Sequence, residues 1–576
     1  MLAEADSLDA DALEALPVPE SLQSLVAARL DGLPGAERRL VQHTSVAGVT
    51  FWSGAAARLD DRAVPPNDLL ESLADRTVVN EHRASAVVGE REWEFKHVVI
   101  RDVAYGRLPK SRRVGLHVRF ADWIGELPDG SEEFVEILAF HLEQACLVAR
   151  EVGRSEVPPP VARAVEALSK AGEKAEHREG LREAHRFYSR ALALVPEDDH
   201  AAALGLRLRA ARAYVGLGQL GEAGKELKDV VEEAGRFDFD SIRCDALVTL
   251  GNVAWKQGGA AEAEHALAEA EALAWRIDNR RLAIKAAFES AWAENWFGGE
   301  VEGPVKKLRA SLTLAAAEGD ISIEIEGLLR LAMMLLNAAR LDEAEETLLR
   351  CVDIAATLGS VRDGARAEHM LGMVKYYRRD LEGAEEFLVR AQGWLERTAD
   401  GLFLIQNLRA LSLAALARGD LTGSEENLRK AYPLAVEHGG YFDKEISRLL
   451  VVTLLLQGRA DDARLIGRTA IEAPPEEDPV ALATVRRIEA ELAAADGDGE
   501  AMRTGYRDAV RLLDEMQTLL DLGETHIEFS VQLRAFGDAA AAELELARAD
   551  EIFASIGAAA AREAVWEARP PATTTS

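Results

Sequence analysis

Cysteine is almost missing from this chain. Its 576 residues hold three, Cys146, Cys244 and Cys351, about a hundred residues apart and with no CxxC pair. That set cannot form a disulfide framework, and a structural zinc site needs four close ligands. The three read as small buried thiols in a reducing compartment. Aromatic residues are also few, at 6 %, which suits extended sheets poorly. No apolar run approaches the ~20 residues needed to span a bilayer. The amino terminus, MLAEADSLDADALEALP, is acidic and lacks the basic-then-apolar pattern of a secretory signal. The expected location is cytoplasmic, with no membrane contact. Basic residues are outnumbered, 67 against 99 acidic ones, giving a net charge of −32. Such a field repels a duplex or an anionic bilayer unless a local basic patch overrides it. A phosphate-cradling G-x-x-x-x-G-K-[ST] loop is absent, as is any acidic strand end behind it to hold magnesium. These absences argue against a membrane protein, a collagen, a disulfide scaffold and a generic nucleic-acid binder. No cofactor or metal is expected.

Helix-forming residues are what the chain has. It is 48 % hydrophobic and 29 % charged, and visibly rich in Ala, Leu, Glu and Arg. An internal repeat dominates from residue 180 onward. Its clearest copies include Gly218-QLGEAGKELKDV, Arg340-LDEAEETLLRC and Asp380-LEGAEEFLVRA. Small residues anchor ten copies: Ala184, Ala223, Ala263, Gly303, Ala344, Ala384, Ser424, Ala463, Ala501 and Ala542, at steps of 38 to 41 residues. Leu-Gly stands earlier in the unit at Leu250-Gly251 and Leu371-Gly372, with Leu331-Ala332 and Leu411-Ser412 in the same place. An apolar helix, a tight turn and a second helix with a small residue at the crossing make a helical hairpin. The pattern resembles the tetratricopeptide repeat, with units near 40 residues instead of the usual 34. The resemblance implies an all-α superhelix of about ten stacked hairpins over residues 161–562, whose concave side would take a partner.

The amino-terminal third lacks the repeat. Leu22, Leu25, Val26 and Leu30 follow Pro19-Glu-Ser21 at helical spacing, and further helices are predicted over Glu37–Val49 and near Asn67–Ala74. Thr77-Val-Val-Asn-Glu and Val87–His97 read as two short strands around a polar turn. Three helices closed by a hairpin describe a winged helix. The segments PESLQSLVAARLDGLP (19–34), EFKHVVIRDVAYGRLPKSRRVGLHVRFADWI (94–124) and FHLEQA (140–145) resemble the region just after the nucleotide-binding core of bacterial signal-transduction ATPases with numerous domains. Some of those proteins are fused to class III cyclases, and others are large actinobacterial transcriptional regulators. The resemblance implies a winged helix that closes over nucleotide and a repeat arm that senses an inducer or partner. The chain starts where that family's ATPase core should end, so hydrolysis and cyclisation are not carried over. The expected layout is an acidic segment at 1–18, a winged helix at 19–125, a helical linker at 126–160, the repeats, and a disordered tail at 563–576.

Candidate functional residues follow from this layout. Gly216-Leu-Gly218-Gln-Leu-Gly221 matches GxGxxG but follows a helix, so it reads as an inter-helix turn and not a dinucleotide loop. His97, at the end of the second wing strand, has the place of a phosphate sensor, but only for a nucleotide-binding module supplied by another chain. Six Lys or Arg fall between Arg101 and Arg119 (Arg101, Arg107, Lys110, Arg112, Arg113, Arg119). They read mainly as a solvated or packed face, with DNA as the minor alternative. Asn252, Trp255, Lys256, Trp292, Trp296, Tyr376 and Tyr377 fall on first-helix positions that face the groove of such superhelices, where aromatic faces can stack a ligand. The function expected is a non-catalytic sensor or scaffold arm that binds a protein partner or small inducer. The alternatives are a fragment of a cyclase-linked ATPase and a winged-helix DNA-binding regulator.

Overall fold

The computed structural model describes residues 20–128, 130–152, 158–178, 180–257, 259–298, 301–338, 340–398, 401–438, 440–472, 478–516, 518–555 and 562. The predicted segments 1–18 and 563–576 lie outside them. Two units are present, Met1–Ala175 with Glu183–Leu206, and Glu176–Arg182 with Arg207–Ser576.

In the first unit, α1 (Glu20–Asp31) and α2 (Gly35–Thr44) precede β1 (Thr50–Trp52), α3 (Ser53–Leu59), α4 (Asn67–Asp75), β2 (Val79–Glu81) and β3 (Glu92–Phe95). Then come α5 (Val98–Gly106), α6 (Lys110–Glu126) and α7 (Val135–Val152). The predicted hairpin is β2–β3, with Glu81 opposite Trp93. The sheet also has a third strand. Thr50-Phe-Trp pairs with the other edge of β3, Phe51 opposite Trp93, in the order β1-β3-β2. Helix α2 therefore stops at Thr44, short of the predicted Val49. Phe51, Val79, Trp93 and Phe95 bury against Leu40, Leu70 and Ile100, so alternate strand residues reach one core.

A second core in this unit lies between α6 and α7, and it holds two buried histidines. His117 Nδ1 and His141 Nδ1 are 2.9 Å apart, and His117 Nε2 is 3.0 Å from the Tyr105 hydroxyl. Burial pushes the His117 imidazole down to about 3, helped by the fields of Arg101 and Arg113. His141 is also held well below the usual range, by burial first and then by His117. Both rings are therefore neutral when folded. Below the unfolded pKa near 6.5 the unfolded chain binds more protons, so this unit's stability is complete above that pH and falls on acidification toward 3. Denaturation of the full chain should show the first unit weakening from pH 6.5 to 5, and His117→Gln should flatten that slope. A profile unaltered by the substitution would contradict it.

The second unit is an α-α superhelix of tetratricopeptide-like hairpins. From Arg207, within α10, its helices pair as α10–α11 (His200–Gly216, Leu220–Arg236), α12–α13 (Asp240–Lys256, Ala260–Arg276), α14–α15 (Arg280–Gly298, Glu302–Glu318), α16–α17 (Ile321–Asn337, Leu341–Leu358) and α18–α19 (Val361–Tyr377, Leu381–Thr398). They continue as α20–α21 (Gly401–Ala417, Leu421–His438), α22–α23 (Gly440–Leu456, Ala460–Glu472), α24–α25 (Pro479–Ala495, Gly499–Glu515) and α26–α27 (Leu519–Ala535, Ala539–Ser555). A like hairpin, α8 (Val161–His177) with α9 (Leu181–Leu192), comes before them in sequence. The GxGxxG segment is the α10–α11 turn: Gly216 ends the helix, and Gly218 takes φ +74°, which favours glycine.

The fourth residue of each second helix is buried, at the expected anchors with two exceptions. Gly303 and Ala501 are exposed, and Val305 and Met502 hold the buried places instead. Those two hairpins accept a larger side chain at that position.

The tighter constraint lies in the first helices. Eleven residues after each start stands a buried small residue, such as Ala211, Gly251, Ala291, Ala332, Gly372 or Ser412. Sixteen or so residues later stands a buried large one: Leu227, Leu267, Leu308, Leu348, Leu388 and Leu428. A methyl group on Gly251 would lie 2.5 Å from Leu267 Cγ, and one on Gly372 2.6 Å from Leu388 Cγ. In α22–α23 Val451 stands at the small position, and sixteen residues on is Gly467, where a methyl would meet Leu492 at 2.7 Å and Ile488 at 3.2 Å, both on α24, and Val451 at 3.5 Å.

Gly372→Ala should therefore destabilise, because overpacking costs about 1–3 kcal/mol against a helix-propensity gain of up to about 1 kcal/mol. Leu388→Ala should lose less stability in that background than in the parent chain. Gly393→Ala, exposed in α19 with open space around its Cα, should stabilise by about 0.5–1 kcal/mol. Thermal or urea unfolding reads all three, and stabilisation by Gly372→Ala would contradict the packing account.

Candidate functional site

Polar side chains on the first helices reach past their nearest neighbours. Tyr441 Oη on α22 is 3.5 Å from Asp521 Oδ1 on α26, and Arg448 NH1 is 2.9 Å from Glu528 Oε1, each pair eighty residues and two hairpins apart. Residues two hairpins apart meet only on the inside of a curved stack, so the first helices form the inner wall. The predicted groove residues are on first helices of the same stack, α12, α14 and α18.

Near its start, Asn252 Nδ2 donates to Glu289 Oε2 at 2.9 Å, and Arg330 NH2 donates to Glu289 Oε1 at 2.6 Å, joining α12, α14 and α16. The Trp255 and Trp292 rings meet edge-on at 6.5 Å, and Lys256 Nζ lies 5.7 Å from the Trp255 ring centre. Both rings are half-buried. Trp255 packs on Ala254, Ala263, Leu267 and Ala293, and Trp292 packs against the neighbouring core. Lys256 is water-exposed yet ringed by protein; desolvation lowers its pKa, opposed by Glu289. Trp296 is on α14, but its side chain lies outside the described residues.

Tyr376 and Tyr377 on α18 are half-buried and edge-on at 5.5 Å. They belong to a second, more charged cluster. Arg409, Arg448 and Arg487 occupy the same position, eight residues after the start, on α20, α22 and α24. Arg448 grips Glu445 with two hydrogen bonds of 2.9 and 2.8 Å, and Arg487 grips Glu528 with two of 2.9 and 2.7 Å. Arg448 also bonds Glu528, and Arg409 Nε lies 3.5 Å from Glu445 Oε1, an ion pair without a hydrogen bond. The result is a continuous chain, Arg409–Glu445–Arg448–Glu528–Arg487. Desolvation raises the Glu445 carboxyl, but Arg448 and Arg409 outweigh it and hold it down at about 2.

Beside this chain stand Asp521 and Glu524, one helical turn apart on α26. Glu524 makes no hydrogen bond or ion pair among the described residues. Desolvation, with Asp521 next, pushes its carboxyl up to about 7, and desolvation with Glu445 raises Asp521. The Tyr376 and Tyr377 phenols are raised by desolvation and then by Glu524. Sequence reading passed over this cluster. Its signal was the 39-residue recurrence of Arg409, Arg448 and Arg487, hidden among 67 basic residues.

The first unit's candidates stay apart from any cluster. His97 is exposed between β3 and α5, and only its carbonyl is engaged, by Ile100 N–H. Most of the basic segment is paired internally. Arg107 binds Asp31 at 2.6 and 3.0 Å, Lys110 binds Glu151 at 2.8 Å, and Arg101 and Arg113 bind backbone carbonyls and flank the Tyr105 ring. Arg112 and Arg119 are exposed. All three cysteines are buried and free. Burial pushes the thiols up to about 11 at Cys146 and Cys244 and about 12 at Cys351. Among the described residues no group of His, Cys, Asp and Glu is arranged to hold a metal, and no helix is long and apolar enough to cross a membrane.

No family model matches the chain, and no curated protein matches it. Solved structures similar to it include a signal-transduction ATPase with numerous domains and a tetratricopeptide repeat sensor from Pyrococcus horikoshii (15 % identity, 80 % of this chain and 66 % of that one, TM-score 0.45). Others are a Rap protein complexed with competence and sporulation factor (14 %, 71 % and 100 %, TM-score 0.43) and the apo quorum sensor NprR from Bacillus thuringiensis (13 %, 61 % and 99 %, TM-score 0.39). This chain spans about two thirds of the length of the first.

The isolated carboxyl has a measurable consequence. Because the folded pKa of Glu524 is raised to about 7, its contribution to stability is complete below the unfolded value near 4.5 and is lost as pH rises through 7. Glu524→Gln should remove this dependence, so the stability difference between variant and parent should grow in the variant's favour from pH 5 to 8. Parallel profiles would contradict the reading.

Proposed function

We propose that this chain is a non-catalytic sensor or scaffold arm of a bacterial signal-transduction regulator. It captures a partner protein or small inducer on the inner wall of its repeats. The observation that carries this reading is the inner row itself. Half-buried rings (Trp255, Trp292, Tyr376, Tyr377) alternate along it with fixed charges, and several polar heads there, those of Lys256, Arg409 and Glu524, have incomplete pairing. Rigid aromatic area beside unsatisfied polar groups is what a recognition surface needs.

For the amino-terminal unit, the order α2-β1-α3-α4-β2-β3 with strand order β1-β3-β2 supports a winged helix. Its third helix, α4, carries Asp68, Glu71 and Asp75 and no basic residue. A helix that enters a major groove cannot present three carboxylates to phosphates. This favours a packing role, as the lid of a nucleotide-binding module supplied elsewhere, with exposed His97 turned toward that module. It disfavours the DNA-regulator reading.

The test uses phage-displayed random dodecapeptides selected on the full chain, with a benzophenone amino acid replacing either Lys256 on the inner wall or exposed Glu396 on α19. Selected peptides should crosslink from position 256 and not from 396. Crosslinking only from 396, or no selection above background, would contradict the reading.

A further inference from the structure

The side of the stack formed by second helices carries a cavity of its own. It measures about 550 Å³ and lies between α15 and α17, with α16 beneath. That volume is within the range of small-molecule sites. Its floor is apolar: Leu312 of α15 and Leu328 and Leu331 of α16 line it, and all three are buried. The walls leave space because their side chains are short, Thr313 and Ala316 on α15 and Thr347 on α17. Both threonine hydroxyls donate to carbonyls of their own helix, Thr313 to Arg309 O at 3.0 Å and Thr347 to Glu343 O at 2.7 Å. The remaining lining groups are charged: Arg309 on α15, and Glu343, Glu346 and Arg350 on α17.

Two acids and two bases line the cavity, but they are not equally committed. Arg340 grips Glu343 with two hydrogen bonds of 2.6 and 2.8 Å. Arg309 is a further donor to that carboxylate, so Glu343 stays paired if Arg309 turns to a ligand. Arg350 is bonded to Glu324 on α16. Glu346 is exposed and makes no hydrogen bond or ion pair among the described residues. The cavity thus offers one releasable guanidinium on the α15 wall, one free carboxylate on the α17 wall and leucines beneath. A simple anion or cation is attracted by one wall and repelled by the other. A zwitterion with apolar side chains matches all three features. Its carboxylate takes Arg309, its ammonium takes Glu346, and its side chains cover the leucines. The two charges must reach separate helices. In a single amino acid both are on one carbon, whereas a dipeptide parts them by a further Cα step of about 3.8 Å.

We propose that the cavity between α15 and α17 is a binding site for an apolar dipeptide in its zwitterionic form, with Arg309 and Glu346 holding its ends and Leu312, Leu328 and Leu331 under its side chains. The site is separate from the inner wall and goes beyond the groove reading: it gives the repeat arm a small ligand of its own, bound by second helices.

Calorimetric titration of the full chain with Leu-Leu, N-acetyl-Leu-Leu, Leu-Leu amide and Gly-Gly decides it. Leu-Leu should bind saturably, and the two capped forms and Gly-Gly at least tenfold more weakly. Arg309→Gln should remove the preference for Leu-Leu over its amide, and Glu346→Gln the preference over its acetyl form. Both variants should melt with the parent chain, because both residues are exposed. Ala316→Trp, also at an exposed position, fills the cavity and should abolish binding. No saturable binding of Leu-Leu, equal binding of the capped forms or of Gly-Gly, or binding undiminished in Ala316→Trp would overturn the inference. Crosslinking from position 256 reads the inner wall alone, so this site and the groove reading fail separately.

Discussion

Two helices of a hairpin can lie close only where one of them gives up its side chain. In this protein that happens eleven residues into each first helix, where Gly, Ala or Ser faces a buried Leu or Tyr of the second helix. The exception is α22, where Val451 takes that place and Gly467 of α23 packs most closely on Leu492 and Ile488 of the next hairpin. Each crossing fixes how one hairpin closes, and hairpins closed alike stack alike. The curvature that brings Arg448 to Glu528 across an intervening hairpin accumulates from these contacts. The inner wall, and any ligand chemistry on it, depends on that spacing.

The charged chain along α20, α22, α24 and α26 follows from the same geometry. Residues eight places into successive first helices come into one column, so Arg409, Arg448 and Arg487 line up with no contact between them in sequence. Arginines in a column, two of them buried (Arg448 and Arg487) and Arg409 half-buried, repel unless carboxylates lie between them, and Glu445 and Glu528 do so. A buried pair of this kind adds little net stability, but losing one partner is costly. It does fix which hairpins face each other. Glu524 breaks the alternation. It makes no hydrogen bond or ion pair among the described residues, and desolvation raises its carboxyl.

The repeat was legible in the sequence because its period is set by packing, and packing restricts residue type at buried positions. The same reasoning misplaced two anchors. Gly303 and Ala501 look right by size, but they sit two and one places before Val305 and Met502, which hold the buried site. Small size alone does not report burial. Strand β1 was missed because three residues, Thr50-Phe-Trp, are too few to show alternation, and only their pairing with β3 defines them. The tryptophan and tyrosine positions were readable as first-helix residues from the register. The arginine column was not, because a charge on a helix looks solvent-facing until the curve of the stack is known. The basic stretch 101–119 shows the converse. It reads as a patch in sequence, yet Arg107 and Lys110 are paired with Asp31 and Glu151, which sequence alone could not place beside them.

The claim on which the rest stands is that first helices two hairpins apart face each other across a curved inner wall. A double-mutant cycle on Arg448→Gln and Glu528→Gln, read by urea unfolding of the full chain, tests it most directly. A coupling energy above about 1 kcal/mol is expected for a hydrogen-bonded pair in contact, whereas single effects that add within about 0.3–0.5 kcal/mol would contradict the account.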